Sequence, residues 1–158
     1  MEFLINWGYF GVFIGSFLSA TLVPFSSDVL LIGLLALGSN IWLTVLIATS
    51  GNWLGSLTTY YIGYLGKWEW IERWFKITPE KLYQQKLKIE KYGAWLAFFV
   101  WLPFVGDVFA VALGFYKINF TKCATLMLLG KFARFSVWGL LFYFGWLKPL
   151  IFWLLMIL

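Results

Sequence analysis

Four long apolar stretches, at roughly 7–37, 41–65, 92–116 and 121–146, constrain this 158-residue chain more than any other feature. Each reaches the ~20 residues that a helix needs to cross a bilayer. A soluble domain is about half apolar and about one quarter charged; here 62% of residues are hydrophobic and 12% are charged. So much apolar surface cannot be hidden from water, and lipid must be the solvent for much of the chain. The 11 Trp and 8 Tyr suit the membrane–water interface. A last apolar tail at 150–158, after Lys148-Pro149, is too short to span alone.

Several function classes start weak. Cys123 is the lone cysteine and there is no His, so no intramolecular disulfide, thiolate–imidazole metal set or His-based triad can form. No metal, no cofactor and no enzymatic activity are expected. The chain opens Met1-Glu2 without a basic region before its apolar run, so Met1 is expected to begin the mature protein. The net charge of +5 lies mainly at 67–91, where anionic lipid headgroups are nearer partners than nucleic acid.

A search for internal repeats is more informative. Pro24-Phe25-Ser26-Ser27-Asp28-Val29 matches Pro103-Phe104-Val105-Gly106-Asp107-Val108 at an offset of 79. The same ungapped offset pairs Asn40 with Asn119, Gly51 with Gly130, Asn52 with Lys131, Trp53 with Phe132, Tyr64 with Tyr143 and Gly66 with Gly145. The chain thus reads as one membrane domain, 1–158. It comprises a first repeat at about 8–66, a linker at about 67–91, a second repeat at about 92–147 and the tail at 148–158.

Each repeat is a Pro-interrupted apolar segment, a short polar break, then a plain spanning helix. Proline removes a helical hydrogen bond and clashes with the preceding turn. One geometry is a single kinked span over 7–37. The other is a re-entrant hairpin with its tip at Pro24, Ser26 and Ser27, and a second with its tip at Pro103 and Gly106. Non-helical backbone at that depth is tolerated only where it is buried or lines a wet cavity. The length of 7–37 and its mid-depth Ser-Ser-Asp favour hairpins, which would make the two repeats inverted. The positive-inside rule fits either geometry and places 67–91 in the cytoplasm. There, Trp68, Trp70, Ile71, Trp74, Phe75 and Ile77 share one helical face, as in a helix lying in the interface. Thr78-Pro79 then opens another helix. The expected fold is therefore an all-α integral membrane protein of the plasma (bacterial inner) membrane, with two inverted repeats and an interfacial helical linker.

Charges inside membrane segments are costly and mark functional candidates. Asp28, Asp107, Lys131 and Arg134 qualify. They could simply pair, Asp28 with Arg134 or Asp107 with Lys131, and hold the halves together. They could instead line a polar pocket where the Pro-containing segments meet. Lys131 and Arg134 are three apart on one helix and suit an anionic headgroup, Arg by bidentate contact and Lys as a point charge. The two carboxyls could exchange protons. Asn52 is the uncharged counterpart of Lys131 in the first repeat.

The runs Ser19-Ala20-Thr21-Leu22-Val23-Pro24-Phe25-Ser26-Ser27-Asp28, Gly51-Asn52-Trp53-Leu54-Gly55, Trp101-Leu102-Pro103-Phe104-Val105-Gly106-Asp107 and Gly130-Lys131-Phe132-Ala133-Arg134 resemble the DedA superfamily, also known by its SNARE-associated or VTT domain, and within it the YqaA-like branch. The resemblance covers about 8–147. It implies two inverted re-entrant hairpins meeting at mid-membrane and the transport or scrambling of lipids, including undecaprenyl phosphate in bacterial members. The family pattern has Arg three residues before and three after the second-loop proline; Val100 and Gly106 stand there in this chain. Its first-loop acidic residue is displaced to Asp28, and an upstream glutamate has only Ser16, Ser19 or Thr21 as counterparts. Lys131 and Arg134 could replace the missing arginines from a neighbouring helix.

The expected function is transport or flipping of an anionic amphipathic substrate, a phosphorylated lipid, coupled to protons through Asp28 and Asp107. The partners are then membrane lipids. A rival is a structural membrane module acting through protein partners or as a homodimer along the glycine-rich helix at 51–66. An enzyme acting on lipid phosphate would have only the two aspartates as candidate groups.

Overall fold

The computed structural model describes residues 2–21, 26–66, 92–93, 95–102 and 105–145. Pro24, Pro103, the linker at 67–91 and the tail lie outside the described residues. Those described form helices joined by turns, with no strand among them: α1 (Glu2–Ser19), α2 (Ser27–Ala36), α3 (Ile41–Leu65), a 3-10 turn (Phe99–Trp101), α4 (Val105–Phe115) and α5 (Phe120–Tyr143).

The two halves use the same local devices at the offset of 79. Asn40 caps α3 by accepting from the Leu43 amide at 3.1 Å, and Asn119 caps α5 by accepting from the Lys122 amide at 3.1 Å. Each is an Asx cap that satisfies one orphan donor of a helix start. The helix before each cap ends in a left-handed residue, Gly38 at φ 86° and Lys117 at φ 52°. Lysine there bears the Cβ cost that glycine avoids. The closing hydrogen bonds also repeat, Gly38 to Leu35 and Lys117 to Gly114, then Gly66 to Gly63 and Gly145 to Phe142.

A single kinked helix over 7–37 is not what forms. Gly8 lies against the Leu34 side chain, and the Tyr9 hydroxyl accepts from the Asn40 amide at 3.1 Å. In one straight helix, Gly8 and Leu34 would be about 39 Å apart, at 1.5 Å per residue. Helix α1 therefore turns near residue 20 and α2 returns along it. The second half folds back likewise. Gly93 sits against Ile118, and the Val100 carbonyl lies where a Cβ on Gly106 would have to go.

The long helices α3 and α5 pack on each other with contacts in descending order. Val45 lies near Gly139, Asn52 bonds Lys131, and Tyr60 shares a core with Cys123. They therefore run antiparallel. Each also reaches into the other half. Phe135 of α5 completes the core of Val12, Leu31, Leu34, Leu35, Val45 and Ala48, while Tyr60 of α3 joins Ala97, Val100, Ala110, Leu113, Cys123 and Met127.

The polarity is inside-out. Helix α3 buries Thr44, Thr49, Asn52, Ser56 and Thr59 but exposes Leu43, Leu46, Leu54 and Ile62. Leu129, Phe132, Val137 and Leu140 are likewise exposed on α5. By length and composition, Phe120–Tyr143 qualifies as a membrane-crossing helix, with shorter apolar helices at Trp7–Ser19, Ser27–Ala36 and Gly106–Phe115. Helix α3 is long enough at 25 residues, but its buried hydroxyls and amide lower its average apolarity.

The glycine-rich face of α3, a candidate homodimer surface from sequence, is occupied within the chain. Gly51 and Gly55 lie against the Phe13 and Phe17 carbonyls of α1, and Gly63 against the Val111 carbonyl of α4. Gly114 of α4 meets the Tyr60 carbonyl in the same way. Because rigid backbone faces these positions, Gly51→Ala and Gly114→Ala should each destabilise the protein by about 1–3 kcal/mol. Gly33→Ala, where a Cβ meets nothing within 4 Å, should be neutral. Thermal unfolding in detergent, followed by tryptophan fluorescence, distinguishes the three variants.

Candidate functional site

Breaking a helix leaves its last carbonyls without helical donors, and both broken segments here are served by side chains from the long helices. At the end of α1, the Asn52 amide donates to the Ser16 carbonyl at 2.9 Å, and the Thr59 hydroxyl donates to the Ala20 carbonyl at 2.9 Å. At the end of the segment before Pro103, Arg134 donates to the Trp101 carbonyl at 2.7 Å. These long-range bonds bring the candidate charges together.

Lys131 is 2% exposed and donates to the Asn52 side-chain carbonyl. Asn52 also donates to the Ser19 hydroxyl at 3.0 Å, so its orientation is determined. Flipped, its NH2 would face the ammonium. Arg134 pairs with Asp28 in the first turn of α2, and each side chain is 17% exposed. Asp107, in the first turn of α4, is half-buried and within electrostatic reach of Lys131. Among the described residues, it makes no hydrogen bond or ion pair. A negative charge in a first helical turn is favoured by the helix dipole, and both aspartates hold that position.

Of the two pairings open from sequence, Asp28 with Arg134 is therefore formed, whereas Lys131 bonds to Asn52. That bond joins positions 79 apart, so the repeat-equivalent residues of α3 and α5 meet each other. Ser26 precedes α2 and is exposed, Ser27 is buried, and Gly106 is buried against Val100. An arginine at 106 would collide with that carbonyl. The guanidinium of Arg134 instead approaches the second loop from α5, at the residue next to Val100.

Sequence reasoning missed the carbonyls of Ser16, Ala20 and Trp101 as partners. Their signal was the helix break itself, which predicts orphan acceptors but not their donors. Among the described residues, several polar atoms are without a hydrogen-bond partner and sealed from the surroundings, including Ser16 Oγ, Thr49 Oγ1, Ser56 Oγ and Asp28 Oδ1. Thr49 and Ser56 flank Asn52 by one helical turn on either side. In native proteins such groups are few and call for an explanation.

The VTT domain model matches residues 23–144, most of the chain and all the charged residues of this cluster. The chain belongs to the VTT-domain (DedA) family. An uncharacterized protein of Haemophilus influenzae is 39% identical over 135 residues, covering 78% of this chain and 80% of the relative. The inner membrane protein YqaA of Escherichia coli is 36% identical over 129 residues, covering 80% of this chain and 84% of the relative, and that of Shigella flexneri matches equally. No solved structure matches. Family membership and the inside-out polarity agree that this is a membrane protein.

Removing Asn52 should leave the buried Lys131 ammonium without its acceptor. Asn52→Leu should destabilise by about 1.5–3 kcal/mol, the value of a hydrogen bond to a charged group. Asn52→Leu combined with Lys131→Leu should be milder than the sum of the single changes. A double-mutant cycle on unfolding in detergent measures the coupling; strict additivity would show that the bond contributes nothing.

Proposed function

We propose that this protein is a small transporter or flippase for an anionic amphipathic substrate, a phosphorylated lipid, and that its site lies where the two broken helices end. The observation carrying this reading is the gathering of Asp28, Asp107, Lys131 and Arg134 at those breaks. Discontinuous helices whose ends meet within the membrane are recurrent binding sites in transporters. Lys131 and Arg134 hold the headgroup, and Asp28 and Asp107 take up or release protons.

The two halves act as inverted repeats, each a re-entrant hairpin followed by a spanning helix. The antiparallel contacts of α3 with α5 and the fold-back of α2 along α1 support that arrangement. In this reading the chain lies in the bacterial inner membrane, where the name of the Escherichia coli relative puts that protein; it crosses that membrane several times, with the linker at 67–91 in the cytoplasm.

A second reading is favoured by the satisfied bonds of Arg134 and Lys131: a structural membrane module whose charges only tie its halves together. Reconstitution separates the two. In vesicles carrying a fluorescent phosphorylated lipid, the Lys131→Ala, Arg134→Ala double variant should flip lipid about tenfold more slowly or worse, as expected from losing charge-assisted bonds of roughly 1.5–3 kcal/mol. Undiminished flipping by a folded double variant would remove the site assigned here.

A further inference from the structure

The two cations of α5 grip the first hairpin on both of its legs. Lys131 reaches the end of α1 through Asn52, which donates to Ser16 and Ser19, and Arg134 reaches the start of α2 through Asp28. Arg134 also donates to the Trp101 carbonyl, so one guanidinium ties the first hairpin to the backbone of the second. Among the described residues, Lys131 uses one of its three N–H donors.

We propose that Asp28 is an internal stand-in for the substrate's anion: it occupies Arg134 in the unloaded protein, and a phosphate monoester displaces it and releases the start of α2 from α5. This rests on the reading of the Lys131–Arg134 pair as the headgroup site.

The chemistry favours displacement. Among the described residues, Asp28 bonds Arg134 through Oδ2, while its other oxygen, Oδ1, is sealed and has no partner. A phosphate presents three acceptor oxygens and a charge of about −1.5 to −2, and it matches the guanidinium fork bidentately. It can bridge Arg134 to the unused donors of Lys131, one helical turn away on the same side of α5. A single carboxylate on α2 cannot do this. The pair is also within reach, since each of its side chains is 17% exposed. Once Arg134 turns to phosphate, the start of α2 loses its ion pair to α5, while the end of α1 stays held by Asn52 and Thr59.

The test uses purified full-length protein in nanodiscs, with dioctanoyl phosphatidic acid and inorganic phosphate as probes in calorimetric titrations. Asp28→Asn should bind phosphatidic acid about tenfold tighter than the parent, because an internal competitor that occupies most of the population lowers apparent affinity by that fraction. Asp28→Glu, which keeps the competitor, should bind as the parent does. Binding of phosphatidic acid without inorganic phosphate identifies a lipid headgroup as the ligand, and binding of both identifies phosphate itself. Equal or weaker binding by Asp28→Asn would overturn the stand-in while leaving the site intact. Binding by neither parent nor variant would overturn the site and the proposal together.

A second measurement leaves Asp28 in place. With Ser26→Cys in a Cys123→Ser background, a water-soluble maleimide should react several-fold faster once phosphatidic acid is added. An unchanged rate at saturating lipid would show that the start of α2 is not released.

Discussion

A helix that stops leaves its last carbonyls without helical donors, and the rest of this structure is arranged around that problem. In hydrocarbon, each such group costs several kcal/mol unless the protein supplies a donor. Two segments stop in this chain, α1 at Ser19 and the 3-10 turn at Trp101. Part of that need is met within the segment, where the Ser19 hydroxyl donates to the Ser16 carbonyl and the Thr21 hydroxyl to the Leu18 carbonyl. Further donors come from the two uninterrupted helices, Asn52 and Thr59 on α3 and Arg134 on α5. That division of labour places Asn52 and Thr59 on the inner face of α3. It also explains why α1 must lie so close to α3 that Gly51 and Gly55 meet its backbone. A larger side chain at either position would push the donors away from the carbonyls they serve.

The near-symmetry of the halves creates a second demand, where α3 and α5 cross. Positions 52 and 131 are equivalent in sequence and meet in space. A lysine at both would set two ammonium groups against each other in a poorly polar surrounding, and like charges there are strongly unfavourable. A leucine at both would take the Asn52 donor away from the Ser16 carbonyl and leave it the Ser19 hydroxyl. Asparagine facing lysine satisfies both sides, since the amide donates to α1 and accepts from α5. Unequal residues at equal positions are thus what lets a duplicated frame close on itself. They also place the cations in one half only.

Much of this was legible in the sequence, for a physical reason: turns and caps are local. The offset of 79 reappears in the Asn40 and Asn119 caps and in the left-handed residues at Gly38 and Lys117. The apolar stretch at 41–65 coincides with α3. Fold-back of the first segment followed from its length and from Ser-Ser-Asp at mid-depth. What could not be read were the long-range choices. Pattern named Asp28 with Arg134 and Asp107 with Lys131 as pairs but not which of them forms, because that depends on which face of α5 meets the start of α2; the first forms, and Lys131 bonds Asn52 instead. The glycines of α3 read equally well as a surface for a second copy. Only the packing of α1 and α4 against them shows that the chain uses that face for itself.

The charge balance of the cluster bears on what the proposed site can carry. Lys131 and Arg134 are matched by Asp28 and Asp107, so the unloaded cluster is neutral when all four are ionised. Adding a phosphate to a neutral cluster in a weakly polar environment leaves uncompensated negative charge, which is costly. Two routes relieve it: a carboxylate swings out to water, or a carboxylate gains a proton. Asp28 is free to leave only when Arg134 finds another anion, whereas Asp107 forms no hydrogen bond among the described residues and is half-buried. In the proposed reading as a carrier of phosphorylated lipid, Asp28 exchanges places with the headgroup and meets its protons in water. Asp107, by contrast, takes up a proton within the cluster, which keeps the loaded cluster near neutrality.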